Sequence, residues 1–250
     1  MSDTVKQRTI FITRHGESEF NRQGRIGGNA DLSPNGHRYA EELAKHFVSL
    51  GTPNLKVWTS TYIRTKNTAV HLKAEVLEHR NDLDELNVGI CDGMTYEEVA
   101  AKYPEEFLKR DQDKFRYRYP KGESYEDVCK RLKVPMDELK SMDNVLLICH
   151  QAVARCFLSL WLGKKEDDMP YLSVPLHTLF KLSFENDKLV DVSTTHVPIP
   201  AIDTLRLKPQ VSQSTGFQYF FFIQMFVPFS LLEYLRRTVN CRCLVYSSTT

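Results

Sequence analysis

A polar stretch from Met1 to Arg8 gives way to a β-rich apolar run, Thr9, Ile10, Phe11, Ile12 and Thr13, that stops at a block of charge, Arg14, His15, Gly16, Glu17 and Ser18. A second run of this kind, Val145, Leu146, Leu147, Ile148 and Cys149, stops at His150. Short apolar runs bounded by polar residues read as buried strands. Between the two, Ser33 before Pro34 is an N-cap with proline at the first helical position, and Gly51 is a stop, which predicts a helix over 34–50. Lys56 to Thr59 predicts a short strand, and 61–72 a helix with Arg64 in its first turn. Thr95 and Glu98 form a capping box for a helix reaching Tyr103, and Pro104 opens a further segment toward Arg110. Ser124 with Asp127 opens another helix, kinked at Pro135. An apolar helix is expected over 152–162, then strands over 179–184 and 189–193.

Strands alternating with helices predict an α/β fold: three layers, α/β/α, with a mainly parallel central sheet covered on both faces. Such sheets place ligands beyond the carboxyl ends of their strands, which is where His15 and His150 fall. An imidazole there can attack an electrophile, and an adjacent guanidinium offers planar paired donors to a phosphate, so the pattern points to a phosphohistidine-forming nucleophile in an anion pocket. A lone histidine beside an arginine is often a solvated loop or a satisfied core residue. Two strands that each deliver a histidine with an arginine nearby, Arg14 and Arg155, are hard to explain as packing.

With 250 residues, 42% of them hydrophobic and 26% charged, the chain can bury one good core without disulfides or a structural metal. A formal net charge of +1, from 33 Lys+Arg against 32 Asp+Glu, argues against nucleic acid as a partner, so anion binding must come from local clustering. No GxGxxG or GxxxxGK[ST] loop supports a dinucleotide or nucleoside triphosphate site. No cofactor or metal is expected, because candidate ligands are scattered without HxxxH or carboxylate-pair spacing. The 6 cysteines, Cys91, Cys129, Cys149, Cys156, Cys241 and Cys243, lack a CxxC pair and read as reduced. Without an apolar segment near Met1, a cytoplasmic location is expected.

Pro209 to Gly216 reads as a linker, which separates a catalytic domain over 1–210 from an apolar tail over 211–250. About 20 apolar residues span a bilayer. Gln218, Gln224, Pro228 and Glu233 interrupt the run from Phe217 to Leu235, ahead of Arg236 and Arg237. A weak membrane anchor, a helix packing on the domain or a partner, and a transcript end without selected structure all remain open for it.

Taken together, these residues resemble the histidine phosphatases, a family that includes the phosphoglycerate mutases and carries an RHG signature after its first strand. Arg14 to Ser18, Asn21, the run Gly24, Arg25, Ile26, Gly27 and Gly28, the long segment Asp111 to Tyr125, and Ile148 to Val153 are similar to the bisphosphatase half of the bifunctional 6-phosphofructo-2-kinase/fructose-2,6-bisphosphatases. The resemblance covers Arg8 to about Pro209. The kinase half that precedes this domain in that branch has no counterpart in these residues, so kinase activity is not expected from them.

The resemblance implies a phosphoglycerate mutase-like fold and hydrolysis of the 2-phosphate of fructose 2,6-bisphosphate. His15 is the implied nucleophile and Glu85 the acid, although Asp82 and Asp84 crowd beside it. Arg14, Arg64, His150 and Asn21 are the implied phosphoryl donors, with His150 most useful as imidazolium. Gly27, Tyr96, Arg110, Lys114, Tyr125, Gln151 and Arg155 match positions that hold the sugar and the second phosphate. The basic and aromatic run from Lys114 to Lys121 otherwise suggests nucleic acid stacking, or a solvated loop at Arg116 and Arg118. Competing readings are a phosphoglycerate mutase or broad sugar-phosphate phosphatase, and a non-catalytic regulatory module. The implied partners are a small sugar bisphosphate and either a second copy, as a homodimer, or a full-length bifunctional subunit.

Overall fold

The computed structural model describes residues 6–203; the expected tail over 211–250, with Cys241 and Cys243, lies outside the described residues. Six strands form one sheet: β1 (Gln7–Arg14), β2 (Lys56–Thr59), β3 (Val76–His79), β4 (Val145–Cys149), β5 (Thr178–Glu185) and β6 (Lys188–His196), ordered β3-β2-β4-β1-β5-β6. The pairings β3 with β2, β2 with β4 and β4 with β1 are parallel. β5 runs antiparallel to β1 and pairs with β6 as a hairpin, so the expected parallel sheet carries an antiparallel edge. Asn186 and Asp187, at φ of 47° and 64°, make the tight turn of that hairpin, where a positive φ at both central residues suits the twist of the strands.

Helices α2 (Pro34–Leu50) and α3 (Ile63–Ala69) cover one face. Their Tyr39, Leu43, Phe47 and Ala69 pack with Phe11, Leu146 and Ile148. The other face holds α6 (Tyr125–Arg131) and α8 (Gln151–Trp161), whose Val128, Val153 and Phe157 pack with Ile10, Ile12, Val145 and Leu147. Alternate residues of β1 and β4 thus feed two cores, which is why both runs are continuously apolar. Each large apolar side chain buried there is worth about 1.5–3 kcal/mol.

Ser33 caps α2 by accepting from the amide of Gly36, and Gly51 closes it at φ 61°, as the sequence predicts. Both members of the predicted capping boxes are present for α4 (Tyr96–Lys102) and α6. α5 (Pro104–Gln112) starts at its proline as expected. The kink expected at Pro135 is a break at Leu132 instead, since Pro135 is the third residue of α7 (Lys133–Leu139), where an amide has no partner within its helix. α3 ends three residues before the predicted Leu72. Besides three short 3-10 turns (Asn81–Leu83, Gly89–Cys91 and Glu166–Tyr171), the sequence reading missed α1 (Glu19–Arg22), a single turn capped by Ser18, and the edge strand β3, which buries too little to show an alternating pattern. The four cysteines within the described residues, Cys91, Cys129, Cys149 and Cys156, are unbridged. Among the described residues no helix is long and apolar enough to cross a membrane.

Register sets the location of the chemistry. Arg14 pairs with Cys149 across β1 and β4, and the His15 amide donates to the Cys149 carbonyl at 2.9 Å, so His15 and His150 leave adjacent strands side by side. Gly16 then lets the amino end of α2 approach, since a Cβ there would lie 2.5 Å from the Gly36 carbonyl oxygen.

Candidate active site

His15 lies beyond the last residue of β1, with its Nδ1 2.7 Å from the carbonyl oxygen of Gly16. A carbonyl only accepts, so Nδ1 carries the hydrogen and Nε2 keeps its lone pair. Burial first, then Arg64 and Arg14, push this imidazole well below the usual histidine value, so it stays neutral at physiological pH. A neutral ring with its tautomer set by the backbone is the form of histidine that can attack phosphorus.

Arg14 donates through Nη1 to the Val174 carbonyl and to both oxygens of Asp203, each at 2.9 Å. Its Nε is buried without a hydrogen-bond partner among the described residues. Arg64 donates to the Gly28 carbonyl at 2.7 Å and stands over the Tyr62 ring. Burial lowers its guanidinium to about 10, which leaves it charged. Asn21 accepts from the amide and hydroxyl of Ser18, both at 2.9 Å, closing the cap of α1 beside His15.

The His150 ring centroid lies 5.2 Å from that of His15. Its Nε2 is 2.7 Å from Ser60 Oγ, and its Nδ1 is buried without a partner among the described residues. Burial, then Arg64 and His15, hold this ring well below the usual histidine value. The unliganded ring is therefore neutral.

The three crowded carboxylates separate cleanly. Asp82 accepts from Arg80, and Asp84 accepts from the amide and hydroxyl of Thr61 at 2.8 Å. Glu85 lines the cleft, where its Oε1 accepts from the amides of Leu86 at 2.9 Å and Ala152 at 3.2 Å.

A second set of cations lines the same cleft. Arg110 donates to the phenol oxygens of Tyr119 at 2.6 Å and Tyr96 at 3.1 Å. Arg155 donates to the Tyr125 phenol at 3.2 Å and the Leu172 carbonyl at 2.8 Å. Lys114 donates to the Pro170 carbonyl at 3.1 Å and lies over the Tyr171 ring. Gln151 keeps a buried, partnerless Nε2 among the described residues. Gly27, at φ 72°, bends the chain over the Asp92 carboxylate, which a Cβ would strike.

The cleft encloses about 830 Å³ open to solvent, and every site residue named from sequence lines it except His150, whose ring stands between His15 and Tyr62. Lining residues that sequence reading did not assign include Phe20, Arg25, Val88, Tyr117 and Tyr119. Tyr119 sits in the basic and aromatic run, yet only its packing against Arg110 distinguishes it from its neighbours. Arg116 and Arg118 point away, pairing at the surface with Glu166, Asp167 and Asp127.

Residues 10–195 match the model of the histidine phosphatase superfamily (branch 1). The chain is 48% identical over 210 residues to the 6-phosphofructo-2-kinase/fructose-2,6-bisphosphatase of Gallus gallus, covering 84% of this chain and 44% of that protein. Identity to 6-phosphofructo-2-kinase/fructose-2,6-bisphosphatase 1 of Homo sapiens is 49%, with the same coverage. The chain thus spans less than half the length of these relatives. Among solved structures, Bacillus stearothermophilus YhfR superposes with a TM-score of 0.65 at 21% identity, covering 79% of this chain and 99% of its own. The α-ribazole phosphatase of Shigella flexneri gives 0.65 at 18% identity, covering 72% and 93%; both likenesses concern the fold.

Proposed function

The chain belongs to the histidine phosphatase superfamily, and from that premise we propose that it hydrolyses fructose 2,6-bisphosphate to fructose 6-phosphate and inorganic phosphate. The observation that carries this reading is the pairing of two cation clusters in one cleft: Arg14 and Arg64 beside neutral His15, and Arg110, Lys114 and Arg155 along it. A phosphate monoester carries about −1.5 to −2 charges near neutral pH, so a bisphosphate calls for two such clusters, whereas one suffices for a simple monoester. The names of the relatives, with 48% and 49% identity over most of this chain, supply the sugar.

In this scheme His15 Nε2 attacks the 2-phosphorus as the bond from phosphorus to the C2 oxygen breaks. Glu85, as the carboxylic acid, gives its proton to the departing oxygen. Arg14, Arg64 and His150 face the equatorial oxygens, where charge stabilisation by fixed donors matters most. A water then attacks the phosphohistidine, Glu85 takes the water's proton, and phosphate leaves with His15 restored. Arg110, Lys114 and Arg155, with Tyr96, Tyr125 and Gln151, hold the 6-phosphate and the sugar.

The test uses fructose 2,6-bisphosphate labelled at the 2-phosphate, with alkaline quenching to preserve an acid-labile phosphohistidine. Protein label followed by stoichiometric phosphate and fructose 6-phosphate supports the reading. Binding without label or release favours a regulatory module. Native mass spectrometry of the purified chain, alone and mixed with a bifunctional subunit, tests the expected pairing; a cytoplasmic site of action accords with a sugar-phosphate substrate.

A further inference from the structure

Ser60 lies between β2 and α3, fully buried, and joins three groups. Its Oγ is 2.7 Å from His150 Nε2, 2.8 Å from Thr65 Oγ1, and accepts the Tyr62 amide at 3.1 Å. Each hydroxyl has one hydrogen, so the chain closes in two ways. In the first, Thr65 donates to the Tyr62 carbonyl at 2.8 Å, Ser60 donates to Thr65, and His150 donates from Nε2 to Ser60. His150 Nδ1 is then a bare lone pair. In the second, Thr65 donates to Ser60, Ser60 donates to His150 Nε2, and the ring hydrogen sits on Nδ1. The Tyr62 carbonyl loses little by this change, because the amides of Thr65 and Lys66 still donate to it at 3.1 and 3.2 Å.

A lone pair repels an anion and an N–H attracts it. Resting on the reading that a phosphoryl group stands at His15, we propose that Ser60 is a positioning residue that donates to His150 Nε2, so that neutral His150 offers an Nδ1–H to the phosphoryl oxygens. Both tautomers hold the same number of protons, so anion binding takes up none in total. The surroundings oppose a second proton on the ring. Arg14 and His15 face it from the end of β1, Arg64 from α3 and Arg131 from α6, and the Tyr62 ring lies 5.1 Å away. Glu85, the one carboxylate lining the cleft among the described residues, is already held by the amides of Leu86 and Ala152. Burial acts in the same direction as these cations.

The experiment is nitrogen NMR of the full chain labelled at its histidines, with inorganic phosphate or orthovanadate as the probe. The expected spectrum shows His150 neutral with hydrogen on Nδ1 in the loaded enzyme. An imidazolium, or hydrogen on Nε2, overturns the proposal. Ser60→Ala is expected to lower kcat by about tenfold or more near neutrality, with the deficit shrinking at acid pH as His150 acquires a second proton. Ser60→Thr, which keeps the hydroxyl, is expected to restore both rate and profile. A loss equal at every pH, or a wild-type rate for Ser60→Ala, overturns it. No response of any histidine to either anion overturns the underlying reading of an anion site as well, which separates the two failures.

Discussion

Asp203 holds Arg14 from behind the cleft, each of its carboxylate oxygens 2.9 Å from Nη1. The same carboxylate accepts the Leu176 amide at 3.1 Å, and the neighbouring Ile202 amide donates to Glu17 at 2.7 Å. His177, from the turn before β5, adds a third brace: its Nε2 accepts the Glu17 amide at 3.0 Å while its Nδ1 donates to the Ile199 carbonyl at 2.9 Å. A segment beyond the last strand thus orients the turn that carries Arg14 and His15.

Asp203→Asn keeps the shape of this contact and removes its charge. The expected result is a loss of about 1.5–3 kcal/mol in stability, together with slower phosphoryl transfer. Urea titration and phosphate release measure the two effects, and a variant as stable and as active as wild type would show that the contact orients nothing.

His15→Ala removes the only side chain poised to bond phosphorus in the proposed scheme. Both phosphate release and acid-labile labelling are expected to vanish. A labelled variant would transfer the nucleophile to another residue.

Glu85→Gln keeps the size of the side chain while removing the proton to be transferred. Turnover is expected to fall by about 100-fold or more, with substrate affinity largely kept. Asp84, tied to Thr61 away from the cleft, becomes the next residue to replace if the rate is unchanged.

Arg110→Ala removes the guanidinium that bridges Tyr96 and Tyr119. Fructose 2,6-bisphosphate and fructose 6-phosphate are both expected to bind more weakly by about 1.5–3 kcal/mol in calorimetry. Unchanged affinity for both would place the second phosphate elsewhere.

The two buried histidines make stability depend on pH. Folding holds His15 and His150 well below the value of about 6.5 that they regain on unfolding. The unfolded chain therefore binds more protons below that value, so stability is complete above about pH 6.5 and falls as the pH drops. Each histidine contributes a slope of about 1.4 kcal/mol per pH unit on that acid limb. Urea midpoints across the limb measure it, and replacing both histidines by glutamine is expected to flatten the slope.

Much of this architecture is legible locally. Ser33, Pro34 and Gly51 bound α2 by capping chemistry that acts within a turn, and the apolar runs of β1 and β4 report burial on both faces. The RHG block, Asn21, the run from Gly24 to Gly28, the run from Asp111 to Tyr125 and the run from Ile148 to Val153 together supplied more than half of the cleft lining for the same reason, since contiguous residues carry the resemblance. β3 escaped because an edge strand with exposed side chains leaves no alternation, and α1 because four residues are too few for a helical period.

Residue types and spacing alone determined the α/β class, the strand-end histidines and the cations available for an anion. Tertiary structure decided the rest: that Glu85 rather than Asp82 or Asp84 faces the cleft, that Asp203 reaches back to Arg14, and that Ser60 meets His150. Ser60 and His150 lie 90 positions apart, and Arg14 and Asp203 lie 189 apart. Strand periodicity and helix caps act over a few residues, so they leave such pairings open. It is the register of β2 against β4, and the path of the chain after β6, that brings these groups within hydrogen-bond distance.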